Sequence, residues 1–397
     1  MLSSPVVDAS SQGWRSLWGL DPAVTFLNHG SFGACPLAVQ QRQQQLRQQL
    51  EAQPVQFFGR SLEPLLDESR AVLAAFVGAN PADVAFVPNA TTGVNTVLRS
   101  LSFRPGDELL TTDHEYNASR NALDFVAQQS GATVVVAEIP FPLTSPDQVV
   151  QTVLSKVTDR TRLLLIDHVT SQTALVLPIA PLIRALAERG IDTLIDGAHA
   201  PGMIPLHLDE LGAAYYTGNC HKWLCAPKGA AFLYVREDRR DRIRPLVISH
   251  GANSPRRDRS CFHLEFDWTV TGDPTPFLCV GTAIQHLAAL LPGGWADLMA
   301  QNRALALWAR ERLSRRLNLA LPCPDEMIGS MATLPLPDGD ADALYQALVE
   351  EFSVEVPIIP WRGRFNRLIR VSAQLYNAPA DYDRLADVLA PLLASSL

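Results

Sequence analysis

From Leu62 onward the chain alternates between two rhythms. LEPLLDESRAVLAAFVGA (Leu62–Ala79) repeats apolar residues every three to four positions, the spacing of a helix with one buried face. DELLTT (Asp107–Thr112), TVVVAEI (Thr133–Ile139), TRLLLIDHV (Thr161–Val169), IDTLIDGAH (Ile191–His199) and AAFLYV (Ala230–Val235) are short apolar runs that read as buried strands. Between them, Val84–Leu101 reads as strand, turn and helix, Asn117–Gly131 as a helix, and Ile179–Gly190 as a helix stopped by glycine. Strands that alternate with helices through short connections predict an α/β fold with a mainly parallel sheet. In such sheets ligands gather at the carboxyl ends of the strands.

After Pro292-Gly293-Gly294 the pattern changes. A long amphipathic helix (Trp295–Leu317) precedes strand-like Met331–Pro337, helical Ala341–Phe352, strand-like Leu368–Asn377 and a last helix, which together predict a smaller α+β C-terminal domain. The expected division is an N-terminal segment over 1–25, a large domain over 26–291 and a small domain over 292–397. The Gln-rich run Gln40–Gln53 suits a long polar-faced helix better than a disordered tract.

Composition narrows the function classes. The chain has 397 residues, 47% of them hydrophobic, enough for a large core, and a formal net charge of -8. Its short basic runs, Arg239–Arg244 and Pro255–Arg259, are broken by aspartate, so no nucleic-acid partner is expected. The six cysteines are scattered without a CxxC zinc spacing, which implies reduced thiols and no structural metal. No secretory signal pattern opens the chain, and no run of about 18 apolar residues occurs. A cytoplasmic location and no membrane association are therefore expected.

The chemistry-bearing residues fall at the predicted strand ends. Asn89-Ala90-Thr91-Thr92-Gly93 opens a helix, where free N–H groups suit an anion or an ordinary N-cap. Asp113-His114-Glu115-Tyr116 supplies rings able to stack on a flat ligand, or a loop. His168 to Gln172 is a dense set of hydrogen-bonding groups, or a turn. Asp196 ends an apolar strand, where a carboxylate is costly unless it meets a cation: a protonated pyridine nitrogen or an arginine. Lys222, within YYTGNCHKWLCAPKGAAFLYV, sits among Trp223, Leu224 and Ala226, a setting that desolvates its amine and makes it nucleophilic. In this order the residues fit pyridoxal 5′-phosphate, which needs a phosphate site, a ring platform, a partner for the pyridine nitrogen and a lysine.

With these motifs stand FLNHGSFG (Phe26–Gly33), PNATTGVN (Pro88–Asn95), TTDHEYNA (Thr111–Ala118), DHVTSQTALVLPI (Asp167–Ile179), IDGAHAPG (Ile195–Gly202) and RVSAQLYN (Arg370–Asn377). From about Leu27 to its end the chain resembles the class V aminotransferase family of fold-type I pyridoxal-phosphate enzymes, within it the isopenicillin N epimerase-like group. The resemblance implies the fold-type I transferase architecture and a homodimer. It gives Lys222 the Schiff base and the Cα proton, Asp196 the pyridine nitrogen, and His114 the ring face opposite Lys222. Ser171 and His199 would surround the ring hydroxyl; Ala90 and Thr91, with Asn219 and His221 beside them, would hold the phosphate. Thr271 in WTVTGD resembles a residue that reaches the partner subunit's phosphate, although Val270 stands where the pattern has glycine. Arg370 would grip the substrate carboxylate, and Asn28 and His29 would lie near the substrate entrance.

The reaction itself is less constrained. Epimerisation needs an acid on each face of Cα: Lys222 supplies one, and His114 or Tyr116 is a candidate for the other. β-Elimination of a C–S bond needs only Lys222 and a leaving group. Transamination and a non-catalytic pyridoxal-phosphate scaffold are the further readings. A desulfurase is disfavoured, because Glu355–Arg370 carries no cysteine nucleophile.

Overall fold

The computed structural model describes residues 10–361 and 366–394. Its strands are β1 (Thr25–Phe26), β2 (Val84–Val87), β3 (Glu108–Thr112), β4 (Thr133–Ala137), β5 (Thr161–Asp167), β6 (Asp192–Asp196), β7 (Tyr215–Asn219), β8 (Ala231–Val235), β9 (Met331–Pro335), β10 (Val354–Glu355), β11 (Ile358–Pro360) and β12 (Arg367–Ser372). Seven of them form one sheet in the order β2-β8-β7-β6-β5-β3-β4, in which only β8 runs against the rest. The expected mainly parallel α/β architecture is thus the observed one.

Neighbouring residues of each strand point to opposite faces of the sheet, and both faces are covered. Leu164, Ile166, Ile195 and Tyr216 join one core, while Leu163, Leu165, Leu194 and Tyr215 join the other. That is why these strands read as continuous apolar runs rather than alternating ones. Each fully buried side chain of this size contributes about 1.5–3 kcal/mol of burial free energy.

The helix Leu62–Val77 ends where expected, because Gly78 (φ 63°) takes the left-handed turn that closes it. The Gln-rich segment is the helix Leu37–Ala52, with Val39, Gln43, Leu46 and Leu50 as its buried face. Beyond Trp295–Leu317, β9, β11 and β12 make a separate antiparallel sheet in the order β11-β12-β9.

Sequence periodicity gave no sign of two features. β1 pairs in parallel with β10, tying the N-terminal segment to the chain's last third. Short helices at Asp147–Leu154, Cys261–Phe266 and Val280–Ala288 are held by packing rather than by long amphipathic stripes. No helix among the described residues is long and apolar enough to cross a membrane.

Candidate active site

β2, β3, β5, β6 and β7 all end at one edge of the sheet, and the residues singled out above follow those ends. Beyond β7 the chain turns tightly, with the amides of Cys220 and His221 both donating to the Ala230 carbonyl. The turn leaves Trp223 and Leu224 fully buried and Lys222 lining the cleft. Lys222 Nζ lies 3.1 Å from His199 Nε2. Burial first, then repulsion from Arg370, lowers its amine to about 7, against the pull of Asp196 and Asp167. Burial also holds His199 well below the usual imidazole range, so it meets the amine as a neutral ring.

Asp196 ends β6 in the buried position the sequence implied. Ser119 Oγ donates to its Oδ2 at 2.7 Å and the Ala198 amide to its Oδ1 at 3.0 Å. Ser119 escaped the sequence reading. Its only signal was a hydroxyl in the first turn of the helix Asn117–Ser130, next to a strand end. Two further carboxyl groups, Glu115 and Asp167, stand beside Asp196 at the ends of β3 and β5.

His114 is buried, with Nδ1 2.8 Å from Thr173 Oγ1, and Phe141 and Trp361 touch its ring edge-on. Desolvation lowers its pKa, so the ring is neutral.

The helix Ala90–Ser100 starts at the same edge, and Gly93 lets it press on β7, since a Cβ there would collide with the Thr217 side chain. Its first amides are not all open to an anion. Ala90 N–H donates to Asn219 Oδ1 (2.8 Å) and Thr92 N–H to the capping Asn89 (2.8 Å), which leaves the Thr91 amide. The expected Ala90 anion contact is thus taken up inside the protein. His221 Nδ1 is likewise bound by the Ala230 carbonyl at 2.8 Å.

Arg370, on β12, enters the cleft from the small sheet and is only 3% exposed. It donates through NH1 to the Ser171 carbonyl and through NH2 to Ser31 Oγ (3.0 Å), while its buried Nε has no partner. The main chain of Ser171 therefore anchors the guanidinium, with its Oγ at 3.4 Å from NH1. Ser31 donates to Asn28 Oδ1, and Asn28 Nδ2 to Glu355 at 2.9 Å, so Asn28 acts through this chain.

His29 is not at an entrance. It is fully buried beneath the lysine turn, with Nε2 3.0 Å from the Lys222 carbonyl and Nδ1 2.7 Å from Tyr376 OH. A carbonyl can only accept, so Nε2 carries the proton and Nδ1 accepts from Tyr376. Gly33 (φ 69°) closes this contact, since a Cβ there would run into the Lys222 backbone.

Thr271 is exposed and takes no part in the cleft of its own chain. Its segment borders an apolar groove of about 440 Å³ that runs from Thr92 and Gly229 past Val247, Trp268 and Val270. Arg362 and Arg364, in the Gly-containing run PWRGR just before Arg370, are rival candidates for the substrate carboxylate from sequence, and they lie outside the described residues. Cys220 and Cys225 are fully buried, and desolvation raises both thiols, so they are core residues rather than nucleophiles.

Comparison with known proteins agrees with this geometry. The chain is 38% identical over 395 residues to an isopenicillin N epimerase of Amycolatopsis lactamdurans, covering 95% of this chain and 97% of that one. It is 30% identical to a probable chloroplastic L-cysteine desulfhydrase of Arabidopsis thaliana, covering 98% and 87%. The fold matches the crystal structure of the cysteine desulfurase CsdA from Escherichia coli with a TM-score of 0.80, at 20% identity and covering 98% of this chain and 99% of that one. The family model for aminotransferase class-V matches residues 27–385. The chain belongs to the class-V aminotransferase family of pyridoxal-phosphate enzymes.

Proposed function

We propose that this protein acts at Cα of an α-amino acid with pyridoxal 5′-phosphate as its cofactor, and that its reaction is epimerisation. The observation that carries the reading is the Lys222 amine: at about 7, beside neutral His199, pulled up by the carboxylate of Asp196 and pushed down by the guanidinium of Arg370. The residues fit the cofactor. Buried polar atoms without partners, His114 Nε2, His199 Nδ1 and Arg370 Nε, belong to residues that converge on this edge of the sheet.

When bound, pyridoxal phosphate supplies an electron sink that acidifies the substrate Cα–H. Lys222 is the group that holds it and then carries the Cα proton on Nζ. Asp196, fixed by Ser119 and Ala198, is the anion for the pyridine nitrogen. The Thr91 amide at the helix start, with Asn219 ordering that turn, is the phosphate donor. His114, steadied by Thr173 and by Phe141 and Trp361, is the face on which the ring lies. Arg370 offers the substrate carboxylate the edge containing its unpaired Nε, while NH1 stays anchored to Ser171.

Epimerisation is supported by the identity with the epimerase relative. β-Elimination of a C–S bond is the second reading, since it needs a single base, which Lys222 provides, and a desulfhydrase relative covers nearly the whole chain. A homodimer fits exposed Thr271 and the exposed apolar residues Leu246, Val247, Ile248 and Val270 around its groove. A panel of L-amino acids, followed for Cα deuterium exchange, loss of optical activity, pyruvate and sulfide, tests the assignment. Exchange with racemisation and no pyruvate supports the epimerase. Pyruvate with sulfide replaces it by the lyase, and no exchange with any amino acid refutes both.

A further inference from the structure

Three adjacent strands, β3, β5 and β6, each deliver a carboxyl group to the same edge of the sheet. Asp167 and Asp196 are direct partners in the β5–β6 register, and Glu115 comes from the turn after β3, which pairs with β5. Carboxyl oxygens of Glu115, Asp167 and Asp196 lie within 4.8 Å of one another, and the residues are 6%, 2% and 1% exposed.

Their surroundings differ sharply. Asp196 accepts two hydrogen bonds, whereas neither oxygen of Glu115 and not Oδ2 of Asp167 has a hydrogen-bond partner. The Thr111 hydroxyl and the main chain of Asp167 and Tyr116 lie near Glu115 and favour its charged form, but less than burial and Asp196 oppose it. The ionisable groups that face Glu115 are the other two acids. Those that face Asp167 are Glu115, Asp196 and Lys222, and Lys222 is the one cation among them.

Three buried negative charges at this spacing cannot coexist beside one lysine, and the groups that give up ionisation are those lacking the two close donors that Asp196 has. We propose that Glu115 and Asp167 are neutral, protonated carboxylic acids that back Asp196 and leave it the sole anion of the cluster. Burial and the neighbouring carboxylates push both well above the usual carboxylate range. The arrangement matches one anion to one pyridine N–H⁺. It also spares Lys222 the negative charge of Asp167, which pulls its amine upward. Glu115 and Asp167 are thus positioning residues that act through Asp196 and Lys222. This role rests on the pyridoxal-phosphate reading of the site, but the protonation itself does not.

The test therefore begins with the protein free of cofactor. At neutral pH exposed carboxyl groups are ionised, so infrared absorption of protonated carboxyl groups reports buried acids. The wild-type apoprotein should show such a band, and both Glu115→Gln and Asp167→Asn should lose part of it. Two variants are used so that a misfolded one does not decide the outcome.

The second readout is the pH midpoint for imine formation between apoprotein and added pyridoxal phosphate. It should not move in Asp167→Asn if Asp167 is neutral. A wild type without the band, as an ionised cluster balanced by a bound cation would give, overturns the proposal. So does a band that survives both substitutions, or a midpoint that falls by a pH unit or more in Asp167→Asn. Failure of pyridoxal phosphate to react at all would sink the cofactor reading while the infrared result stands.

Discussion

Arg370→Ala is the perturbation that tests the substrate site most directly. The guanidinium is nearly inaccessible, anchored by the Ser171 carbonyl and Ser31 Oγ, and keeps one buried N–H unpaired. Burial lowers its pKa to about 10, so it is still charged at neutral pH. Truncating one partner of a buried, charge-assisted contact costs about 2–5 kcal/mol. That corresponds to roughly 30-fold to a few thousand-fold in amino-acid affinity. Cofactor binding should change far less, because none of the phosphate or ring contacts assigned above comes from Arg370. Arg370→Lys should rescue only partly, since an ammonium cannot keep the Ser171 anchor and present a planar fork together. The assay is an amino-acid titration of the cofactor's absorbance in each variant. Parent-like affinity in Arg370→Ala, with loss in Arg362→Ala or Arg364→Ala, would refute the assignment.

The remaining predictions concern the lysine, its supporting histidine and the assembly. Lys222→Ala should abolish turnover while noncovalent cofactor binding persists, and borohydride reduction should label Lys222 in the wild type; label on Lys228 contradicts the assignment. Because the Lys222 amine titrates at about 7, imine formation by the apoprotein should level off above that pH, whereas an ordinary lysine would keep gaining rate up to about 10. His29 is held down to about 3, so between there and its unfolded value near 6.5 the unfolded chain binds the extra proton. Stability should therefore fall as pH drops through that window, by on the order of a few kcal/mol for this residue, and His29→Gln should flatten the slope in pH-dependent unfolding. Sedimentation should give a homodimer, and Thr271→Ala should weaken cofactor binding; a fully active monomer at assay concentration is the opposing result.

Legibility in the sequence followed locality. Strands buried on both faces announce themselves as apolar runs, so β3, β4, β5, β6 and β8 were readable to within a few residues. Asp196 stood out as a charge ending such a run. Asp167 ends LLLID as Asp196 ends DTLID, yet the dense run of hydrogen-bonding groups after it, His168 to Gln172, masks it. The signal was present and equally strong. Other parts had no local trace. The β1–β10 pairing and the chain Arg370–Ser31–Asn28–Glu355 join positions more than three hundred residues apart, and only tertiary packing brings them together. His29 was assigned from its motif to the entrance. Periodicity cannot say that its ring turns inward to the Lys222 carbonyl.

The charges around Lys222 also explain how one amine can serve two tasks. To attack the cofactor it must be neutral, and Arg370 helps by repelling its protonated form. To take the Cα proton it must later be basic. A substrate carboxylate paired with Arg370 offsets that repulsion, while Asp196 continues to favour the ammonium. On the proposed function, binding of a substrate carboxylate to Arg370 would raise the proton affinity of Lys222 when a base is required. A neutral Glu115 and Asp167 are part of the same balance. Were Asp167 ionised, its pull on the Lys222 proton would add to that of Asp196 against the push from Arg370. On this proposal the site depends on which of five groups, Lys222, Arg370, Asp196, Asp167 and Glu115, carry charge at neutral pH, and the donors Ser119 and Ala198 favour the charge on Asp196 against its burial.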